Sequence, residues 1–249
     1  MKLQRFERTE DGQSFPYIVW RLPEPRLTLS SASLGGGLGL RDWVLNATVH
    51  HNYSREDPAV HLQSLATNAG LAGSGVGLMT AVWVDSYTSA REDGVSAWVT
   101  TGVDHALWAA APSPIWHQSS ATPATNKVGT INIVVNVETT LNPGALVNLA
   151  STVTEAKVQA LFEAGHEGTG TATDAFCIMC IARGAAPNEP RAPVLDNNQP
   201  ANAKSPGASP STTRTLWDDE LYGGIRSVWG AKVARVVHTA VTEGLKGLA

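Results

Sequence analysis

The feature that most constrains the fold is the segment 128–137, in which side chains of different character alternate along the chain. One set of alternate positions is entirely β-branched: Ile131, Ile133, Val135 and Val137. The opposite set includes Asn132 and Asn136, and this alternation predicts a β-strand. A long helical pattern follows at Pro143–Ala164, and then Thr173–Ala182 is a nearly continuous apolar run, typical of a strand covered on both faces.

Helix and strand signals continue over the rest of the chain. The sequence predicts further strands at 17–22, 26–31, 78–84 and 95–101, a polar turn at 89–94, and further helices at 58–69 and 229–245. Asp57 and Asn142 each precede a proline and are the candidate N-caps of two helices. We therefore expect an α/β (mixed α+β) fold, a single layered domain over residues 1–249 with a mixed β-sheet covered by helices. Residues 184–214, rich in Pro, Asn and Ser, predict a mobile insertion.

The composition excludes several classes of protein. Charged residues make up 16% of the chain and the hydrophobic set 43%, whereas a disordered chain needs the opposite balance. The formal net charge is −4 and no basic stripe is visible, so we expect no nucleic-acid partner. No apolar run approaches the roughly 20 residues that span a bilayer, and the polar start lacks a signal-peptide pattern. We expect a cytoplasmic protein with no membrane partner.

One helix carries a side chain that does not fit its surroundings. At about 100° per residue, Lys157 lies in the middle of the apolar stripe of the helix at 143–164. A buried ammonium is costly without a partner. Two interpretations stay open: the lysine stem snorkels at the rim of the core, or the lysine holds an anion or donates to a developing oxyanion. Glu155 lies about 160° away on the same wheel, and we expect it to be solvated.

A second candidate site directly precedes the apolar run. Hydroxyls and flexible backbone are concentrated at the entrance of the predicted strand: Gly168, Thr169, Gly170, Thr171 and Thr173. Asp174 follows, and the next charged residue is Arg183. A carboxylate in such surroundings must be paired or hydrogen-bonded. It is either a general base or the orienter of a catalytic hydroxyl, or else a turn residue that accepts backbone N–H groups.

Other patterns are excluded by their context. The Gly-rich segments at 34–39 and 73–77 lack the lysine of a phosphate loop, and the second one precedes a predicted strand instead of a helix. Cys177 and Cys180 have redox-motif spacing, but residues three apart on a strand face opposite sides. That geometry favours two buried apolar cysteines. The seven histidines show no metal-ligand spacing, so we expect no metal site and mostly surface or boundary histidines.

Several segments together resemble the adenosylcobinamide amidohydrolase (CbiZ) family. They are residues 29–32 with the Gly-rich loop that follows, 46–53, 77–81, 129–133, 155–157 and 168–175. The resemblance covers residues 26–182 and 222–245. It implies hydrolysis of the amide that joins aminopropanol to the corrinoid ring of adenosylcobinamide, giving adenosylcobyric acid and 1-amino-2-propanol. The cobalt then belongs to the corrinoid substrate, and we expect no cofactor; a homo-oligomer is left open.

The chain departs from the family pattern at four positions. Ala172 stands where a glycine is expected, and Gly35 where an asparagine is common. Near the C-terminus, Arg226 and Ala231 stand where the family has His and Glu. These last two departures motivate an alternative, a corrinoid-binding protein without catalysis. A further alternative is an amide hydrolase that acts on a smaller substrate.

The leading hypothesis from the residues is an amidohydrolase site. Asp174 positions or deprotonates a water or a threonine hydroxyl, with Thr171 and Thr173 as the candidates. Lys157 and Asn132 together stabilise the oxyanion. Substrate contacts are expected from seven residues: Asn132, Asn46, Gly36, Gly37, Thr80, Thr169 and Gly170.

Overall fold

The computed structural model of the protein describes residues 1–104, 106–111, 129–182 and 220–248. In this part of the chain the strands are β1 (Lys2–Glu10), β2 (Gln13–Ser30), β3 (Gly37–Thr48), β4 (Gly75–Thr80), β5 (Thr88–Glu92), β6 (Val95–Thr101), β7 (Ile131–Thr140) and β8 (Ala175–Ile181). The helices are α1 (Pro58–Asn68), α2 (Pro143–Glu163) and α3 (Val228–Lys246), with a short 3-10 helix at Val84–Ser86.

These strands form one mixed sheet. The order is β4-β3-β2-β8-β7-β6-β5, and β1 pairs with the first part of β2. The β3–β4 and β7–β8 pairs are parallel, and the other pairs are antiparallel. The mixed sheet and its covering helices confirm the predicted fold class.

The sheet curls until its two halves face each other. β3 and β6 stand four places apart in the strand order, which in a flat sheet would separate them by about 19 Å. The Asn46 side chain of β3 nevertheless donates to Thr100 Oγ1 of β6 at 3.2 Å. Asn132 of β7 likewise donates to the carbonyl of Met79 in β4 at 2.9 Å. The half that contains β3 and β4 therefore lies over β6 and β7.

Three apolar clusters define the layers. α2 and α3 cover the outer face of β6–β8, where the β-branched set of β7 packs. A second cluster, which includes Trp20, Trp98 and Val134, fills the space between the two sheet halves. α1 covers the outer face of β2 and β3. The layers are therefore helix, sheet, sheet and helix, and β8 is buried on both faces as its apolar run predicts.

The structure corrects several predicted strands. β2 continues through Pro23 and Pro25, where the sequence predicts two strands, because a register shift between Arg21 and Arg26 leaves the prolines outside the paired positions. β4 ends at Thr80 instead of continuing to 84, and β5 occupies most of the predicted turn as an edge strand. The sequence does not predict β1 or β3, because β1 is largely charged and polar and β3 opens with glycines.

The predicted helices are present. In α1 the sequence pattern marks an apolar stripe at Val60, Leu62, Leu65, Ala66 and Ala69. All of these except Val60 are buried; Val60 is 63% exposed, whereas the neighbouring His61 is 2% exposed. The N-cap prediction holds for Asn142, whose side chain accepts from the Ala145 N–H at 2.7 Å. Asp57 occupies the N-cap of α1 but its side chain makes no capping bond there.

The predicted insertion at 184–214 lies outside the described residues. Of the helices in the described ranges, none is both long enough and apolar enough to cross a membrane.

Candidate active site

Asp174 lies at the entrance of β8, and four hydrogen bonds converge on its carboxylate. Lys157 of α2 donates from Nζ to Oδ2 at 2.5 Å, and the Thr171 backbone N–H donates to the same oxygen at 3.0 Å. Oδ1 accepts from the Thr171 hydroxyl at 2.6 Å and from the Ile131 N–H at 2.9 Å. The Lys157 and Asp174 side chains are 11% and 13% exposed. We call Asp174, Lys157 and Thr171 the carboxylate cluster.

The structure answers the question left open for Lys157. Its ammonium does not snorkel to solvent; it holds an anion, and that anion is Asp174 of its own chain. Asp174 in turn combines both expected contacts, because it accepts a turn N–H and also a threonine hydroxyl. Glu155 is exposed, as its position on the helical wheel predicts.

The glycine-rich sequence before Asp174 lets the chain pass closely over the ion pair. A Cβ at Gly170 would lie 2.4 Å from Asp174 Oδ2 and 2.5 Å from Lys157 Nζ, so the close approach requires glycine. The Gly170 carbonyl accepts from the Leu107 N–H at 2.7 Å, and the Thr169 N–H donates to the Leu107 carbonyl at 2.8 Å. Thr169 and Gly170 therefore form the cover of the carboxylate cluster.

Thr173 makes different contacts from Thr171. Its Oγ1 lies 2.6 Å from Thr130 Oγ1 and donates to the Gly129 carbonyl at 3.3 Å. Thr173 is exposed, whereas Thr130 is buried. Of the two candidate hydroxyls, Thr171 is thus the one that donates to Asp174.

A separate group of polar side chains meets between the two sheet halves. Asn132 Nδ2 donates to Asn46 Oδ1 and to the Met79 carbonyl, both at 2.9 Å. Asn46 Nδ2 donates to Thr100 Oγ1, and all three side chains are buried. We call Asn46, Asn132, Thr100 and the Met79 carbonyl the amide corner. Thr80, the next residue after Met79, is buried beside it.

The carboxylate cluster and the amide corner lie on opposite faces of the β7–β8 pair. Asp174 accepts from the backbone of Ile131, whose side chain packs in the helix-facing core. The next side chain, Asn132, points between the sheet halves, and both of its Nδ2 protons are already donated. The structure therefore does not bring Lys157 and Asn132 together, and this geometry does not support their expected joint action on an oxyanion.

The Gly-rich loop at 34–39 follows a segment that is bonded to the start of β8. The Ser31 N–H donates to the Phe176 carbonyl, and the Phe176 N–H donates to Ser31 Oγ, each at 3.1 Å. Gly36 and Gly37 are exposed. At Gly35 φ is +68°, and a Cβ would lie 1.9 Å from the Gly75 carbonyl oxygen. This contact explains why glycine stands where the family pattern often has asparagine.

A third polar cluster, which the sequence pattern does not predict, lies at α1. His61 Nε2 lies 2.7 Å from Glu10 Oε1, and His61 Nδ1 lies 3.0 Å from the Tyr53 hydroxyl. Arg8 donates to Glu10 at 2.8 Å. Burial lowers the pKa of His61, outweighing the opposite effect of Glu10. We call Arg8, Glu10, Tyr53 and His61 the histidine cluster. We expect mostly surface or boundary histidines, and His61, which shares the buried face of α1, is an exception.

Two threonines that complete these polar groups, Thr100 of β6 and Thr130 just before β7, were missed for different reasons. Thr130 precedes Asn132 by two residues, so the strand period places them on one face, and this signal was available. Thr100 is brought to Asn46 only by the curl of the sheet, which the sequence pattern does not encode.

A surface groove of about 470 Å³ lies near the start of α3. Its lining residues are Asn148, Tyr222, Gly224, Ile225, Arg226 and Ser227. It therefore contains Arg226 and none of the predicted catalytic or substrate-binding residues.

Cys177 and Cys180 lie on opposite faces of β8, as their spacing predicts. Cys177 packs between the sheet halves and Cys180 packs in the helix-facing core. Burial raises the pKa of the Cys177 thiol to about 12, which disfavours the reactive thiolate.

Sequence comparison connects this geometry to a known family. The family profile described as adenosylcobinamide amidohydrolase matches residues 2–192. The chain belongs to this family. The matched range contains the carboxylate cluster, the amide corner and the histidine cluster, and it confirms the family resemblance. The amidohydrolase match ends before Arg226 and Ala231, the two departures near the C-terminus.

One curated relative has the same name as the family. An adenosylcobinamide amidohydrolase of Methanosarcina mazei is 29% identical over 148 residues, which are 59% of this chain and 66% of the relative. The aligned segment thus spans just under two thirds of that relative's length.

Among solved structures, an L-aminopeptidase D-Ala-esterase/amidase from Ochrobactrum anthropi aligns with 97% of this chain and 82% of its own, at 15% identity and a TM-score of 0.44. A beta-aminopeptidase from Burkholderia sp. aligns with 97% of this chain and 83% of its own, at 13% identity and a TM-score of 0.44.

Proposed function

We propose that the protein hydrolyses the amide bond between aminopropanol and the corrinoid ring of adenosylcobinamide, releasing adenosylcobyric acid and 1-amino-2-propanol. The observation that carries the proposal is a threonine hydroxyl 2.6 Å from a carboxylate that is only 13% exposed, in a chain that belongs to an amidohydrolase family. A hydroxyl paired with a base is the arrangement by which amide bonds are attacked in nucleophilic catalysis.

The Thr171 hydroxyl is the proposed nucleophile, and Asp174 is the proposed base. Asp174 Oδ1 takes the proton that Thr171 already donates to it, while Thr171 Oγ1 bonds to the amide carbon. The tetrahedral intermediate expels the amine, which receives this proton and leaves as 1-amino-2-propanol. A water molecule then attacks the acyl–threonine ester, giving one proton to Asp174, which returns it to Thr171 Oγ1 as adenosylcobyric acid is released.

Lys157 prepares the carboxylate for this role. Its ammonium bonds to Oδ2, so Oδ1 stays directed at the Thr171 hydroxyl. A protonated Asp174 would leave the buried ammonium without its counter-ion, which favours rapid return of the proton. Thr173, the second candidate hydroxyl, contacts Thr130 and Gly129 instead of the carboxylate.

The substrate contacts stay proposals of the same kind. A corrinoid carries many peripheral amides, and amide and hydroxyl side chains bind such groups. Polar groups at the predicted positions could supply these contacts: Asn46, Asn132, Thr80, Thr169, Gly170, Gly36 and Gly37.

Product analysis tests the reaction directly. Purified full-length protein is incubated with adenosylcobinamide, and mass spectrometry is expected to detect adenosylcobyric acid and 1-amino-2-propanol in equal amounts. Unchanged corrinoid after long incubation, together with a tryptophan fluorescence response to cobinamide, would instead support a corrinoid-binding protein. Turnover of small amides without any response to cobinamide would support a hydrolase with a smaller substrate.

Two isosteric variants test the choice of hydroxyl. Thr171→Val removes the hydroxyl bonded to Asp174 and is expected to lower kcat at least 100-fold, the scale of nucleophile and base effects. Thr173→Val is expected to stay within tenfold of the wild type. Thr154→Val, at an exposed position of α2, is the matched control. Wild-type kcat in Thr171→Val would show that Asp174 activates water without a threonine nucleophile.

Three further expectations remain predictions: a cytoplasmic location, no cofactor or metal of the protein's own, and no nucleic-acid partner. Whether the protein forms a homo-oligomer stays open.

A further inference from the structure

We propose that Trp108 binds the corrin ring of the substrate, so that this side chain makes the enzyme prefer a corrinoid to a small amide. The inference rests on the proposed function and deepens it. It names the side chain that recognises the part of the substrate from which the scissile side chain projects, and it adds a residue to the substrate contacts expected from the sequence.

Trp108 lies on the segment that holds the cover of the carboxylate cluster in place. The residue before it, Leu107, donates to the Gly170 carbonyl at 2.7 Å and accepts from the Thr169 N–H at 2.8 Å. The residue after it donates from its N–H to Thr169 Oγ1 at 3.0 Å. The Trp108 backbone is therefore fixed against the two residues that directly precede Thr171, the proposed nucleophile.

The indole of Trp108 is free to meet a ligand. Trp108 is 55% exposed, and no ring or cation from the described residues packs on it. The other tryptophans in the described ranges are buried or packed against another side chain: Trp20, Trp43, Trp83, Trp98 and Trp229. Single exposed apolar residues are common on protein surfaces, so what distinguishes this indole is its place beside the nucleophile.

The surface around this indole is open. Ala109 and Ala110 directly follow Trp108 and are exposed, and so are Ala172 and Thr173, which directly follow the nucleophile. The three alanines have short side chains and leave a low rim on which a broad ligand can lie. Contact between Trp108 and a large substrate therefore requires no opening of the fold.

The chemistry of the corrin ring matches an exposed indole. The scissile amide is carried by a short side chain of the ring, so the ring must lie close to the nucleophile when the amide is attacked. Methyl and methylene groups line the edge of the ring between its peripheral amides. An indole offers an apolar body for such groups and one N–H donor for an amide carbonyl. The aminopropanol half is small and polar, and it offers little apolar surface to an indole.

A comparison of a large and a small substrate tests this contact. The values of kcat/KM are measured for adenosylcobinamide and for N-(2-hydroxypropyl)propanamide, which keeps the scissile amide but lacks the ring. The proteins are the wild type, Trp108→Ala, Trp108→Phe and Trp83→Ala. Trp83 is the matched control because it is exposed to a similar extent, 50%, but stacks on Phe15, which Arg8 of the histidine cluster covers.

The expected result is a loss that depends on the ring. In Trp108→Ala, kcat/KM should fall at least tenfold for adenosylcobinamide, the scale of truncating a large contact residue, and stay within threefold for the small amide. Trp108→Phe should stay within threefold of the wild type for both substrates, and Trp83→Ala within twofold. An unchanged value for adenosylcobinamide in Trp108→Ala would overturn the inference. Equal falls for both substrates would show that the indole only supports the cover, and would also overturn it.

Binding of the product keeps the test decisive if the wild type does not turn over the small amide. Cobyric acid contains the ring without the aminopropanol, and its Kd is measured both with the adenosyl group and with water in its place. Trp108→Ala should raise both Kd values at least tenfold, and Trp83→Ala should raise neither. A rise confined to the adenosyl form would show that the indole stacks on adenine, and would overturn the ring contact. Trp108→Ser serves in place of Trp108→Ala if the latter does not fold.

Failure of the proposed function and failure of this inference give different results. No turnover of adenosylcobinamide by the wild type would remove the proposed function, while the Kd series would still test the contact between Trp108 and the ring. Turnover by the wild type together with unchanged Kd values in Trp108→Ala would remove the inference alone.

Discussion

The carboxylate cluster and the histidine cluster both attach a helix to the strands beside it, but they do so with different chemistry. In the carboxylate cluster two opposite charges are almost fully buried, at 11% and 13% exposure. In the histidine cluster burial lowers the pKa of His61 and favours the neutral ring, and the more exposed Glu10 accepts from Arg8. Both ring nitrogens of His61 have partners.

The difference indicates which cluster is built for chemistry. Burying an ion pair is expensive, and an apolar pair of similar volume often stabilises a fold better. The carboxylate cluster also holds a partly exposed hydroxyl, Thr171, against a charged oxygen. The histidine cluster has its buried ring nitrogens satisfied and lies on the α1 side of the other sheet half. We therefore expect catalysis to depend on the carboxylate cluster. We expect the histidine cluster to contribute to stability but not to catalysis.

Removing the negative charge of the carboxylate cluster is expected to have the largest effect. Asp174→Asn keeps an oxygen near Thr171 but removes the base, so kcat should fall by about 10² to 10⁴, the usual contribution of a general base. Product formation from adenosylcobinamide measures it. Asp85→Asn, which changes an exposed carboxylate paired with Arg5, should retain wild-type kcat. Full turnover by Asp174→Asn would exclude the proposed base.

Removing the positive charge of the same cluster is expected to have the next largest effect, on stability. Lys157→Met leaves the Asp174 carboxylate buried without its cation, which should lower the free energy of unfolding by about 3–5 kcal/mol. Urea unfolding followed by circular dichroism measures it, with Lys246→Met at an exposed pair as the control. Adding Asp174→Leu to Lys157→Met should recover at least half of the loss. If the double variant is as unstable as the single one, the loss does not come from the unpaired charge.

The contrast between the clusters also shows which parts of the candidate site could be predicted from the sequence. Lys157 interrupts a long and regular apolar stripe, and Asp174 is isolated in an apolar run, so both stood out. That they bind each other was not predictable, because a helical wheel gives the direction of a side chain but not the strand beneath it. His61 was missed because α1 is short and the apolar pattern began at Val60; Val60 is exposed, and His61 takes its place beside the buried Leu62, Leu65 and Ala66.

The fold likewise contains parts that local sequence patterns predict and parts that they do not. Local patterns predicted α2, α3 and β7 well, since these elements bury many residues against one layer. The amide corner depends on the curl that brings β3 over β6, and no local pattern specifies which strands meet across a curled sheet. Asn46 was expected to bind substrate on the strength of the resemblance, whereas Thr100 had no signal.

Replacing the central residue of the histidine cluster is expected to reduce stability but not activity. His61→Leu leaves the Tyr53 hydroxyl without its acceptor and Glu10 without one of its donors. The free energy of unfolding should fall by about 1–3 kcal/mol, the cost of unpaired polar groups, while kcat for adenosylcobinamide stays within threefold of the wild type. His51→Leu, at an exposed position, should change neither. Turnover that drops by two orders of magnitude in a folded His61→Leu would place the histidine cluster in the reaction.

Lowering the pH should reduce the stabilisation that His61 provides, and this is the smallest effect we expect. Burial lowers the pKa of His61 in the folded state, so below the ordinary pKa of histidine the unfolded chain binds more protons than the folded one. The stability difference between wild type and His61→Leu should therefore shrink as the pH falls from about 7 to 5. Burial raises the pKa of Glu10, but Arg8 and His61 more than offset this effect, so the pKa of Glu10 is lowered. The stabilisation by Glu10 is therefore also lost on acidification, at lower pH than that of His61. Urea unfolding of both proteins at a series of pH values measures the difference in their free energies of unfolding. If this difference grows on acidification, His61 is a charged imidazolium in the folded protein.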